Sequence, residues 1–126
     1  MRLRNPLANA HNHGASGDAV SHWWAQRFSA ILLALLVVWL VFALFTLVGA
    51  SHEEASAWLA RPFNAAMAVL FVVTSLYHSR LGLQVVIEDY IHQRVVEVVL
   101  LVSIKIAAIF GGVLAVLAIL KLALGV

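Results

Sequence analysis

Most of the side chains able to do chemistry in this sequence stand between His78 and His92, a stretch running directly out of the apolar segment Phe63–Tyr77. It holds His78, Arg80, Gly82, Glu88, Asp89, Tyr90 and His92. On a helix, the eleven positions from His78 to Asp89 amount to about 1100°, which returns to within about 20° of one face. Asp89 then lies about 16 Å further along the axis. With Asp89 and Tyr90 at the water interface, His78 sits near the middle of a hydrocarbon layer about 30 Å thick. A neutral imidazole at that depth can serve as a metal ligand. Gly82, one turn on, is expected to leave space beside it for something flat and bulky.

The element that positions this stretch must be a membrane helix. The chain has 126 residues, 63% of them hydrophobic and only 11% charged, with a mean hydropathy of +0.98. Charge is too scarce to clothe a soluble globule, and the apolar residues come in long blocks rather than stripes. The formal charge of +2 comes from arginines flanking those blocks, so nothing points to nucleic acid. With no cysteine, a disulfide framework and cysteine-held clusters or zinc are excluded within the chain. Any metal must be held by carboxylates or by the six histidines.

The expected architecture is all-α, one membrane domain over 1–126 with three transmembrane helices and no internal repeat. Residues 1–21 are polar and turn-rich and read as a surface tail. Trp23, Trp24 and Arg27 suit the headgroup layer, where amphipathic rings and a snorkelling guanidinium both find partners. A first span is expected over 28–50, free of charge throughout. The basic leader and apolar run are both too long for a cleaved signal peptide, so the span is read as retained. The leader also lacks the Arg/Ser-rich amphipathic character of a mitochondrial address, which favours a bacterial inner membrane. A short polar connection from Ser51 leads to Pro62, which suits a first helical turn. The second span runs 63–90, and the third 96–124. In the third, Ala107, Gly111 and Ala115, with Ala108 and Gly112, form small-residue rows open to close helix approach. Arg2, Arg4, Arg27 and Arg94 fall on one side, so the positive-inside rule puts the N-terminus in the cytoplasm and the C-terminus in the periplasm.

Each polar residue admits two readings. His78 is either a structural histidine bonded to a neighbouring helix or an axial haem ligand. Ser75, Ser79 and Gly82 around it are small, as a macrocycle packed against the helix requires. His11, His13, His22 and His92 belong to the cytoplasmic end and His52 to the other. A second axial ligand is therefore expected from another polypeptide or another copy, which makes this chain part of a complex. Arg80 carries charge into the membrane, where a propionate, a partner carboxylate or snorkelling would satisfy it. Arg27 is either an interfacial anchor or a partner for a propionate or quinone headgroup. Lys105, about 12 Å beyond Glu97 along the third span, is read as snorkelling or paired outside the chain. Asp89 and Tyr90 either end the helix or serve a quinone. In the second case the Tyr90 hydroxyl donates to a carbonyl and Asp89 relays the protons that quinone reduction consumes.

His78 with Gly82, then Asp89, Tyr90 and His92, preceded by Trp23, Trp24, Gln26 and Arg27, resembles the hydrophobic membrane anchor of succinate dehydrogenase. The likeness is to the smaller, D-type anchor of respiratory complex II in its alphaproteobacterial and mitochondrial-like form, and it covers nearly the whole chain. It implies that His78 ligates one haem b, with a C-type, cytochrome b556-like anchor subunit supplying the other histidine. It implies further that Tyr90 hydrogen-bonds ubiquinone, that Asp89 is close to that site, and that Arg27 is near the haem propionates. The flavoprotein and iron–sulfur subunits would dock on this anchor, which is not catalytic alone. The competing expectations are a quinol:fumarate reductase anchor, a transporter or channel subunit with Arg80, Lys105 and Glu97 lining a polar path, and a plain scaffold. The transporter reading requires opposite charges at one depth and broken helices.

Overall fold

A computed structural model of the chain describes residues 15–125. Four helices follow one another: α1 (Ala15–Leu47), α2 (His52–Leu59), α3 (Pro62–Tyr90) and α4 (Arg94–Leu124). No strand occurs among the described residues. α1, α3 and α4 are each long and apolar enough to cross a membrane. At 31 residues, α4 extends about 46 Å, well beyond the hydrocarbon thickness.

The structure differs from the sequence expectation at both ends of α1 and in the connection that follows it. α1 begins at Ala15, so residues 15–21 are helical turns and not part of an irregular tail; residues 1–14, with His11 and His13, lie outside the described residues. α1 stops at Leu47 because Gly49 takes the left-handed conformation, φ 77°, and turns the chain. The expected polar connection is itself the two-turn helix α2. Ser51 caps it by accepting from Glu54 N, while Ser51 N donates to the Glu54 carboxylate at 2.7 Å. The two bonds satisfy donors the first turn would otherwise leave bare. They also hold the Glu54 carboxyl below the usual glutamate range, chiefly through the backbone bond from Ser51 and then through its hydroxyl. α3 opens on Pro62, whose missing N–H has no helical partner to lose there.

α3 is the central helix, packed antiparallel against α1 on one side and α4 on the other. Between α1 and α3 the buried positions are Ser29, Leu36 and Ala43 on α1 and Asn64, Thr74 and Leu81 on α3. The seven-residue steps from Ser29 to Leu36 to Ala43 keep one seam of α1 against its neighbour. Half of these six, Ser29, Ala43 and Thr74, are small or carry a hydroxyl, which suits a bilayer, where close contact and interhelical hydrogen bonds replace a hydrophobic drive between helices. On the other side Gly112 of α4 meets α3, and a Cβ there would stand 3.3 Å from Leu76 Cδ1. Gly111 meets nothing within 4 Å. The expected small-residue rows therefore divide, with the row of Ala108 and Gly112 serving the α3 interface.

α2 closes the far end of the bundle. Trp58 stacks on Trp39 of α1 with ring centroids 6.1 Å apart, and Asn64 Nδ2 donates to Trp58 O at 2.9 Å. Outside these seams the helices present Val, Leu, Ile and Phe outwards. Phe45 is 74% and Phe110 65% exposed, a surface that only hydrocarbon or a partner would cover.

Candidate functional site

His78 stands on α3 between the buried Thr74 and Leu81, at four- and three-residue steps that place all three on the α1-facing side. Opposite it α1 presents Ser29, whose side chain is 4% exposed. Ser29 Oγ lies 3.0 Å from His78 Nδ1 and also 3.0 Å from Gln26 O one turn back. Among the described residues His78 Nε2 has no hydrogen-bond partner, and it is not sealed inside the bundle. The ring is thus held by one nitrogen and offers the other at the edge of the α1–α3 seam.

On the Tyr90 side of this pair a cavity of about 730 Å³ opens between α1 and α3. Asp18, His22 and Gln26 line it from α1, and Gly82, Val85 and Glu88 from α3. His22 Nε2 and Gln26 Oε1 are buried in the seam without a hydrogen-bond partner. His22, Gln26 and Ser29 follow one another at steps of four and three and form one polar row on α1. Gly82 itself lines this cavity, with Gln26 beside it. A Cβ added to Gly82 would meet Gln26 Nε2 at 3.8 Å, an ordinary contact, because the Gln26 side chain already lies across the glycine. Of the small residues expected around His78, Ser75 donates to Phe71 O at 2.6 Å, and Ser79 lines a groove on the α4 side.

The other sequence-predicted residues lie apart from His78. Arg27 is exposed, with its guanidinium carbon 5.3 Å from the centre of the Trp23 ring. It is two residues from Ser29, about 200° around the helix, so it points away from the seam. Asp89 and Tyr90 close the last turn of α3. Both are exposed, Tyr90 at 77%, and Tyr90 lies about 18 Å along the axis from His78. His92 is exposed in the α3–α4 turn, and His52 begins α2 at the opposite end. No second histidine among the described residues shares the depth of His78, and none holds a group of three or more His, Asp or Glu side chains that could cage a metal.

Arg80 faces α4, lining the grooves on that side with Leu76, Ala108 and neighbouring residues. The one salt bridge among the described residues joins Arg94 to Glu97 at 3.7 Å, so Arg80 and Lys105 have no carboxylate there. α3 and α4 are also unbroken. Neither feature that a transport path through this chain would need is present among the described residues.

Sequence reasoning missed Ser29 and Gln26 as neighbours of His78. The signal was the row of polar residues recurring every three or four positions into an otherwise apolar helix. A single imidazole fixed at Nδ1 and free at Nε2 is what an axial haem ligand requires, so the residues present fit that group.

The family model for the succinate dehydrogenase/fumarate reductase transmembrane subunit matches residues 1–120. The chain is 36% identical over 109 residues to the succinate dehydrogenase hydrophobic membrane anchor subunit of Rickettsia bellii, spanning 85% of this chain and 86% of that one. The corresponding subunit of Rickettsia conorii is 36% identical over 106 residues, 82% of each chain. The succinate dehydrogenase membrane anchor subunit of Reclinomonas americana is 37% identical over 91 residues, 70% of this chain and 76% of that one. No solved structure gives a significant match.

Proposed function

This chain belongs to the succinate dehydrogenase/fumarate reductase transmembrane subunit family, and from that premise we propose how its residues serve a succinate:quinone oxidoreductase. It is a membrane anchor subunit of succinate dehydrogenase. His78 would hold haem b through Nε2, with a histidine of a C-type anchor subunit as the second protein ligand. The haem iron, when bound, accepts and returns one electron. Everything else this chain does is positioning. The α1–α3 seam fixes the imidazole, and the unpartnered His22 and Gln26 atoms mark where polar groups of a neighbour or ligand are received. Arg27 supplies positive charge for a propionate or quinone headgroup.

Tyr90 and Asp89 serve ubiquinone, the substrate. Its reduction to the quinol consumes two electrons and two protons. The Tyr90 hydroxyl donates to a quinone carbonyl and so stabilises negative charge as it develops on that oxygen, while Asp89 relays protons from the water phase. Their exposure on the last turn of α3 supports this role. The N-terminus and the α3–α4 turn face the cytoplasm, where the flavoprotein and iron–sulfur subunits dock, and the C-terminus faces the periplasm, across a bacterial inner membrane.

The observation that carries the haem assignment is the 3.0 Å pair of Ser29 Oγ and His78 Nδ1, which leaves Nε2 open. Its test is a dithionite-reduced minus oxidised optical spectrum of the complex purified through a tag on this chain. A b-type signal in the wild type, lost or shifted in His78→Ala, is the expected result. A wild-type complex without the signal would remove the haem and return His78 to a structural role.

A further inference from the structure

The Ser29 hydroxyl is placed between two groups that want different things from it. It carries one proton and lies 3.0 Å from Gln26 O and 3.0 Å from His78 Nδ1. A carbonyl oxygen can only accept, so the hydroxyl donates to Gln26 O. Its own oxygen is then the acceptor for Nδ1–H. The ring's single proton is thereby placed on Nδ1, and the lone pair is left at Nε2. The opposite arrangement, with the hydroxyl donating to Nδ1, would put the proton on Nε2. That N–H has no acceptor among the described residues, and a polar group left bare at membrane depth is costly.

We propose that Ser29 is the positioning residue that sets the tautomer and ring orientation of His78, through the relay His78 Nδ1–H to Ser29 Oγ–H to Gln26 O. The proposal rests on His78 as a haem ligand and adds a partner on another helix that the sequence motif does not contain. The relay has an electronic consequence besides the geometric one. A hydrogen bond accepted from the far nitrogen pushes electron density toward the ligating one, which favours the oxidised metal. Removing the acceptor therefore favours the reduced state. Ser29 is buried at 4% exposure, so water does not readily stand in for the hydroxyl.

The test uses the whole complex, purified through a tag on this chain, with Ser29→Ala, Ser29→Thr and His78→Ala. The readouts are haem content by difference spectrum, midpoint potential by spectroelectrochemical titration, and the electron paramagnetic resonance of the ferric haem, which follows ring orientation. Ser29→Ala is expected to shift the ferric-to-ferrous ratio at fixed potential about tenfold toward ferrous, a rise of about 59 mV for a one-electron couple, with altered ferric g-values. Ser29→Thr keeps an oxygen able to bond both partners and is expected to titrate as wild type. If Ser29→Ala loses the haem while Ser29→Thr keeps it, the hydroxyl is again what matters. A Ser29→Ala complex with wild-type potential and resonance overturns the proposal, as does loss of haem in both serine variants, which would mean packing alone. Failure of the haem reading itself shows separately, in a wild type without haem or in a His78→Ala complex with unchanged haem.

Discussion

Gly112 and Gly111 are adjacent on α4, yet only one of them is held against α3, and that difference predicts a graded set of outcomes. At Gly112 a Cβ would lie 3.3 Å from Leu76 Cδ1, a few tenths of an ångström inside comfortable contact. The atom it meets is the end of a flexible side chain. Leu76 also borders a groove of about 410 Å³ into which it can turn. Gly112→Ala should therefore be close to neutral, its strain offset by the helical preference of Ala over Gly, about 1 kcal/mol. Gly112→Val adds three carbons, two of them branching on a stiff χ1, and the α3 backbone must then move; overpacking of this kind costs about 1–3 kcal/mol. Gly111→Ala meets nothing within 4 Å and should be neutral or stabilising. The assay is the thermal midpoint of the detergent-solubilised complex, read together with the yield of co-purifying subunits. The expected order is Gly111→Ala at or above wild type, Gly112→Ala near it, and Gly112→Val clearly below. Gly111→Ala more damaging than Gly112→Val would refute the register of α4 on α3.

Tyr90→Phe should lower kcat/KM for ubiquinone about tenfold, the equivalent of one lost hydrogen bond of about 1.4 kcal/mol, while succinate oxidation with a soluble dye acceptor stays unchanged; equal loss in both assays would count against a quinone role. Asp89→Asn should slow quinone reduction more at high pH, where protons are scarce, than at low pH, and a uniform effect would argue against proton relay. Ser51→Ala should weaken α2 by about 1 kcal/mol. The Glu54 carboxyl is held below its ordinary range in the folded chain, so it contributes stability above its unfolded pKa that fades as pH falls through the folded one. Ser51→Ala keeps the backbone bond and loses only the hydroxyl's smaller share, so wild type should lose somewhat more stability in acid than Ser51→Ala, a difference readable as converging thermal midpoints.

The three long helices were legible because lipid imposes a single rule over some twenty residues at a time: the apolar blocks around Trp39, Leu70 and Leu114 could be nothing else. α2 was also written in the sequence, as Ser51 followed three places later by Glu54, but its polar composition made a loop look sufficient. The turn at Gly49 is of another kind, since its position shows only once φ is known. Ser29 belongs to a polar row visible in the sequence, but the residue it meets is not visible there. A serine inside an apolar run has no address until the antiparallel pairing of α1 and α3 sets which residue stands opposite His78. The same holds for Gly82, since Gln26, which borders the cavity beside it, comes from a helix more than fifty residues away.

The unpaired groups say most about what this chain is built to meet. Leu76 stands against Gly112, and Arg80 shares its groove with Ile104, Ala107 and Ala108, which puts Lys105 within about one turn of the depth of Arg80. Two cations at neighbouring depths, with no carboxylate among the described residues, are costly in lipid and become tolerable only by snorkelling or beside opposite charge. On the far side of α3, His78 offers a free nitrogen, and His22 and Gln26 each keep a buried polar atom without a partner. A chain meant to stand alone in a membrane would satisfy such groups internally, as it does for Asn64 through Trp58 O and for Ser75 through Phe71 O. The groups left open thus lie on both faces of the central helix, His78 toward α1 and Arg80 toward α4.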